Sequence, residues 1–381
     1  MANFKVKNGL QAGRYLLSGG TETSNVEFSL SGAAYDNSSF SISPPAGGNA
    51  RDVFFKTDGT KFYVLDTVDD KIWQFALSTA WDLSTASYES KFFDVSPQET
   101  APRGMWIKPD GTKLYVVGAD ATGDELEQYS LSTAWDISTA SYDSVNFDFG
   151  TQDDAPNGIY FNVDGTKLWM AGQTNSSIYQ YSLSTAWDVS TVSYDSKSLD
   201  VSGTVSALND VFLVNDGARL IVGGGATDTL FQYDLSTDYD VSTGSYNSVN
   251  LDVSAQEANP QGWYIKSDSS KLYLIGTAQE KVFQYSTSAG TAQLDLSTGT
   301  TFSFTPSGAT TVSFTNAPAS GKAIGFSVEI NGDGSAITWP SSVKWPSGVA
   351  PTATASKEVY AFVTTDGGTS YYGKRAGSDI A

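Results

Sequence analysis

From Asp52 onward the chain alternates short runs of aromatic and β-branched residues with clusters of Gly, Asp, Ser and Pro. The first set is Asp52 to Phe55, Lys61 to Leu65, Lys71 to Leu77 and Lys91 to Val95. Runs this short, bounded by turn formers and lacking a stripe at helical period, predict strands throughout.

The set repeats. Asp58-Gly-Thr-Lys61 returns as Asp110-Gly-Thr-Lys113, Asp164-Gly-Thr-Lys167, Asp216-Gly-Ala-Arg219 and Asp268-Ser-Ser-Lys271, at spacings of 52, 54, 52 and 52 residues. The segment Leu77 to Tyr88 returns as Leu131 to Tyr142, Leu183 to Tyr194 and, degraded, Leu235 to Tyr246. Four strands per unit at this period predict an all-β, five-bladed β-propeller. The fifth unit has no fourth strand after Lys281 to Tyr285, but Tyr35, Phe40 and Ile42 reproduce the spacing of Tyr88, Phe93 and Val95. Residues 35 to 43 are therefore expected to supply the outer strand of the last blade and close the ring. An open solenoid would have no use for a displaced strand.

From about Thr291 the period stops and the composition shifts to Thr, Ser and Gly. Strand-like segments continue, and Asn331-Gly-Asp-Gly334 and Asp366-Gly-Gly368 have the chemistry of hairpin turns. The expected organisation is an N-terminal docking arm at 1–27, the propeller at 28–289 and a small antiparallel, sandwich-like β-domain at 290–381.

Phe302-Ser-Phe-Thr, Ala336-Ile-Thr-Trp-Pro-Ser-Ser-Val-Lys-Trp-Pro-Ser-Gly348 and Tyr360 to Gly373 stand in the order found in phage tail fibres, and this region resembles their C-terminal domains. Lys5-Val-Lys-Asn-Gly-Leu10 is similar to the first residues of such fibres, which dock onto the particle. The Leu-Ser-Thr-Ala-Trp-Asp repeats resemble those of structural proteins of marine phages, and Pro109 to Val116 resembles surface-layer and lactonase-like propeller repeats. The phage resemblance implies a virion part, made in the host cytoplasm and oligomeric, with other virion proteins and a host surface polysaccharide or receptor as partners.

Composition narrows the chemistry. The chain has no Cys and no His, which excludes disulfides, thiolate metal sites, His-ligated zinc and imidazole-dependent triads. Its net charge is −20, unfavourable for nucleic acid or anionic lipid. Residues 290–381 carry 5 basic and 6 acidic side chains, so −19 falls on the rest. Neither a signal-peptide-like apolar run nor a stretch long enough to span a membrane is present, and a soluble chain without cofactor or metal is expected.

Three residue series are candidates for function. Trp81, Trp135, Trp187 and Tyr239 recur on the connectors and offer sugar-stacking surfaces, although strict repetition favours packing against a blade edge. Asp82, Asp136, Asp188 and Asp240 follow them and suit turn hydrogen bonds better than a cation, because no Asp-x-Asp-x-Asp-Gly loop is present. Asp52 and Asp210 begin first strands where the other units have Gly104, Gly158 and Gly262. Two carboxylates there would meet near the axis, to hold an ion or to act as a glycosidase pair, or simply to line a narrow entrance. The loops on one face vary while the turns on the other repeat, as in a binding face on a uniform scaffold. The expected function is non-catalytic: a tail fibre or virion appendage for host attachment or particle decoration. A carbohydrate-degrading tail enzyme is the alternative.

Overall fold

A computed structural model of the chain describes residues 22–23, 28–120, 123–287, 291–304, 306, 310–332, 336–346 and 348–378. They form two compact units, Ser29–Ser288 and a second made of Met1–Phe28 with Ala289–Ala381.

The first unit is a propeller of five four-stranded antiparallel sheets. Strands A to D of the first blade are Ala50–Phe55, Lys61–Asp66, Lys71–Leu77 and Ala86–Asp94. The fourth strand starts earlier than the apolar run suggests. A bulge with Ser90 at φ 58° lets Ala86 to Tyr88 pair with Leu77 to Phe75 before Lys91 resumes the ladder opposite Gln74. The bulge recurs at Ser144, Ser196 and Ser248, and at Asn37 in the displaced strand. That strand, Ala34–Ser41, pairs with Lys281–Ser286: Tyr35 lies opposite Tyr285 and Phe40 opposite Val282, just as Tyr88 and Phe93 lie opposite Phe75 and Ile72. The ring closes as its sequence spacing predicts.

Blades pack face to face through apolar side chains. Tyr115, Val117 and Leu126 of the second meet Ile159, Phe161, Leu168 and Met170 of the third in one buried cluster. A polar latch repeats beside each joint. Gln74, Gln128, Gln180, Gln232 and Gln284 on the C strands accept from the backbone N–H of Ile137, Val189, Val241, Leu30 and Leu83 on the following blade, at 2.8, 3.0, 3.1, 2.9 and 3.1 Å. Each of those donors opens a buried 3₁₀ turn, so an unmade bond would cost about 1–3 kcal/mol. In four blades the amide's other end donates to a carboxylate: Glu89, Asp143, Asp195 or Asp36. A lysine pairs with each of these: Lys61, Lys113, Lys167 and Lys271.

In the second unit, one sheet is ordered Glu22–Thr23, Thr301–Phe304, Ile324–Asn331, Lys357–Thr364, Tyr371–Ser378, Val343–Lys344. The other is Thr291–Asp295, Thr310–Thr315, Ile337–Thr338. Two sheets are present, but antiparallel pairing is confined to the hairpin around Asp366-Gly-Gly368 and its neighbour, and the other pairs are parallel. The cause is connectivity: successive strands from Thr291 to Lys344 alternate between the sheets, so sheet neighbours are next-but-one in sequence and run the same way. Asn331-Gly-Asp-Gly334 therefore begins a crossover and not a hairpin. Most of the arm at 1–27 lies outside the described residues; Glu22–Thr23 runs parallel to Phe302–Ser303.

Candidate functional site

The propeller axis is where sequence reasoning places Asp52 and Asp210, and each strand A delivers two layers to it. The first is Asp52, Gly104, Gly158, Asp210 and Gly262. A Cβ on Gly158 would stand 2.6 Å from the Cα of Asp210, and one on Gly262 2.8 Å from the Cα of Asp52. Neighbouring strands approach that closely only because each aspartate in the layer is flanked by glycines. The second layer is Phe54, Trp106, Tyr160, Phe212 and Tyr264. Successive rings meet edge to face around a closed pentagon, with centroids 5.1, 4.9, 5.0, 5.7 and 5.2 Å apart. The axis is thus plugged by aromatics.

Asp52 and Asp210 are buried above this plug. Asp52 accepts from the N–H of Val53 and of Met105 on the next blade, both at 2.7 Å. Asp210 accepts from Val211 at 2.7 Å and from Trp263 on the next blade at 3.1 Å. Both oxygens of each carboxyl are occupied. Burial pushes both carboxyls above their ordinary range, and the charge of Asp52 pushes Asp210 further. The cavity they share measures about 10 Å³, room for one water and not for a sugar ring. The arrangement joins blades; it lacks the substrate cleft that a glycosidase pair requires.

Trp81, Trp135, Trp187 and Tyr239 all lie at the turns of the opposite face. Each has a left-handed backbone, φ 67, 63, 66 and 60°, and donates its N–H to the carbonyl of Gly59, Gly111, Gly165 or Gly217. Their rings cover these glycines so closely that a Cβ would stand within 2.4 Å of the ring. Tyr273, Tyr63 and Tyr115 of the preceding blades donate to the carbonyls of Trp81, Trp135 and Trp187 at 2.7, 2.8 and 2.7 Å. The series is a set of lids clamped between two turns, with Trp135 and Trp187 only 9% and 8% exposed. Packing uses all four rings: Trp135 and Trp187 are buried, and Trp81 and Tyr239 are half-buried. Asp82, Asp136, Asp188 and Asp240 cap the following 3₁₀ turns through the N–H of Ser84, Ser138, Ser190 and Ser242. No acidic cluster able to hold a metal occurs among the described residues.

On the varied-loop face, buried carboxylates staple loop to loop. Asp66 accepts from the N–H of Gly48, Asn49, Val68 and Asp69, and Glu257 from those of Asn259, Ala278 and Gln279. The second blade departs from this economy. Glu127 occupies a C-strand position held by Trp73, Tyr179, Phe231 and Phe283 elsewhere, and its Oε2 is buried without a partner. Burial first, then the charge of Glu99, pushes Glu127 up to about 9; Glu99 itself rises to about 7 through burial.

No protein-family model matches the chain, and no curated protein matches it significantly. Likenesses exist among solved structures. The β-propeller domain of Cps50 (Swd1) from Myceliophteria thermophila is 11% identical, over 67% of this chain and 100% of that one, with a TM-score of 0.40. A functionally unknown protein from Desulfotomaculum acetoxidans is 14% identical, over 62% and 82%, at 0.39. A "putative 6-phosphogluconolactonase" from Bacteroides fragilis is 14% identical, over 55% of this chain and 59% of that one, at 0.38. These are likenesses of fold.

In the second unit, a cleft of about 540 Å³ is lined by Lys344, Trp345, Pro346, Val363, Tyr372 and Lys374 among others. Tyr372 is 60% exposed and stands in register between Lys344 and Val363 on flanking strands. Sequence reasoning missed this cleft, the latch glutamines and the axial aromatic ring. The last two carry a signal, since both recur at the same register of every unit.

Proposed function

We propose that this chain is a non-catalytic structural protein of a bacteriophage virion, a tail fibre or similar appendage. In this reading residues from both ends of the chain build the carrying module, and the propeller is displayed for contact with a host surface or with neighbouring particle proteins. The observation that supports it is the strand Glu22–Thr23, which runs parallel to Thr301–Phe304 in the sheet holding Tyr360 and Tyr371, part of the region that resembles tail-fibre C-terminal domains. The propeller is an insertion between two pieces of one module. Ala34 and Ser286, its first and last paired residues, are opposite one another, so the chain enters and leaves at one end of one blade. The plugged axis and the saturated Asp52 and Asp210 favour scaffold over catalyst.

Deletion of residues 1–27 tests the carrying role. The truncated protein is expected to keep a folded propeller and to be lost from purified particles, and normal incorporation would overturn the reading. Incubating the intact protein with host capsule or lipopolysaccharide tests the non-catalytic part, for which no shortening of the chains is expected.

A further inference from the structure

One residue before the Asp and Gly layer, the five blades place Arg51, Arg103, Asn157, Asn209 and Gln261 at the mouth of the axis on the varied-loop face. Register shifts beside Arg51, Arg103, Asn157 and Gln261 mark bulges that let consecutive residues approach the axis together. Four of the five joints are bridged by these side chains. Arg51 Nη1 donates to Gln261 Oε1 at 2.6 Å, and Arg103 Nη1 donates to Asn157 Oδ1 at 2.9 Å and to Gln173 Oε1 at 3.2 Å. Asn157 Nδ2 reaches the Leu208 carbonyl at 2.8 Å, and Asn209 Nδ2 the Pro260 carbonyl at 2.9 Å. Gln173 Nε2 adds a bond to Asn209 Oδ1 at 3.1 Å.

The remaining joint lies between Arg51 and Arg103. There Thr67 Oγ1 takes the Pro102 carbonyl at 2.5 Å, and no acceptor among the described residues links the two guanidiniums. Both are partly buried, the Arg51 Nε is buried without a partner, and neither guanidinium lies within 4 Å of a carboxylate among the described residues. Asp66, Glu99 and Asp124 act on them only from longer range. Burial pushes both guanidiniums below their ordinary range, and Arg103 adds to the effect on Arg51. Two like charges held side by side in a chain of net charge −20 lack one component, an acceptor carrying negative charge.

We infer that the gap between Arg51 and Arg103 is a binding site for a single oxyanion group, a carboxylate or a phosphate, on a small ligand or on an acidic sugar residue. The site stands apart from the virion assignment, because it depends only on the propeller. Guanidinium forks match both anions in geometry, and the amides of Gln261, Asn157 and Gln173 hold the forks in place.

Isothermal titration of the intact chain in chloride buffer at fixed ionic strength tests it, with inorganic phosphate and with galacturonate as separate probes. One site per propeller is expected, weakened about tenfold or more in Arg51→Gln and in Arg103→Gln and unchanged in Lys322→Gln. Circular dichroism checks the fold, and Arg51→Lys, which keeps the charge and loses the fork, is expected to bind with intermediate strength. Binding of phosphate alone identifies a free oxyanion as the ligand, and binding of galacturonate identifies an acidic saccharide. Absence of binding by both probes, or binding that neither glutamine variant weakens, overturns the inference.

Discussion

Gln284, on the last propeller strand in sequence, accepts a hydrogen bond from the backbone N–H of Leu83 at 3.1 Å, joining the fifth blade to the first across 201 residues. The same bond is made at every other joint, so closure uses no special chemistry. What differs is sequence separation: this latch and that of Gln232 with Leu30 span 201 and 202 residues, whereas the other three span 61 to 63. Gln284 also donates to Asp36 on the displaced strand at 2.7 Å, so one side chain holds both halves of the seam.

Replacing Gln284 by Ala leaves the Leu83 N–H buried and unpaired and removes a donor from Asp36. A loss of about 1–3 kcal/mol is expected, read as a lower denaturant midpoint. Gln128→Ala at an internal joint should cost a similar amount. A change below about 0.5 kcal/mol in both would show that the latches do not hold the ring.

The displaced strand has a sharper signature. Truncation to residue 27 leaves Ala34–Ser41 in place, whereas truncation to residue 41 uncovers the edge of Lys281–Ser286. An unpaired edge invites strand addition from another chain. The longer truncation is therefore expected to associate or to melt early by size-exclusion chromatography and circular dichroism, and the shorter one to do neither.

Gly165 is at φ 72° under the ring of Trp187, and a Cβ there would stand 2.2 Å from the ring. Gly165→Ala is expected to cost about 2 kcal/mol or more, combining left-handed strain with displacement of the ring. Trp187→Ala is expected to cost about 3–5 kcal/mol. Because the two share one contact, the double variant should fall short of the sum by at least about 0.5 kcal/mol. Strict additivity in chemical denaturation would separate the ring from the turn.

Glu127, raised to about 9, and Glu99, raised to about 7, set the pH dependence together with Asp52 and Asp210. Between the ordinary carboxyl range and these values the folded chain holds protons that the unfolded chain has released. Stability from these groups is complete below about pH 4 and is lost as the pH rises toward 9, at up to about 1.4 kcal/mol per unit for one group. The midpoint of thermal unfolding is expected to fall from pH 5 to pH 9. Glu127→Gln should flatten the upper part of that decline and be more stable than the parent at pH 8.5, and an unchanged slope would remove Glu127 from the account.

Much of this architecture is legible in the sequence, because a propeller is a repeat and a repeat declares its own register. Tyr35, Phe40 and Ile42 were enough to place a strand that pairs some 245 residues away in sequence, since they copy Tyr88, Phe93 and Val95. The aspartates after each connector aromatic were readable as caps, because a short carboxylate beside Ser acts locally. Asp52 and Asp210 were readable as near the axis and no further. Whether they face a cleft or are saturated depends on the N–H groups of Met105 and Trp263, each 53 residues along the chain.

The tertiary structure alone decided what lies between blades and between sheets. Strand alternation and turn chemistry are the same for a hairpin and for a crossover, so Asn331-Gly-Asp-Gly334 reads as a hairpin until Ile337–Thr338 is seen pairing with Thr310–Thr311. Arg51 and Arg103 look like scattered basic residues until the ring of blades brings them to one mouth and the amides of Gln261, Asn157 and Gln173 fix their guanidiniums there. Local chemistry determines what each segment can form. Which groups end up facing one another is decided by the packing of segments more than 50 residues apart, and no local pattern encodes that.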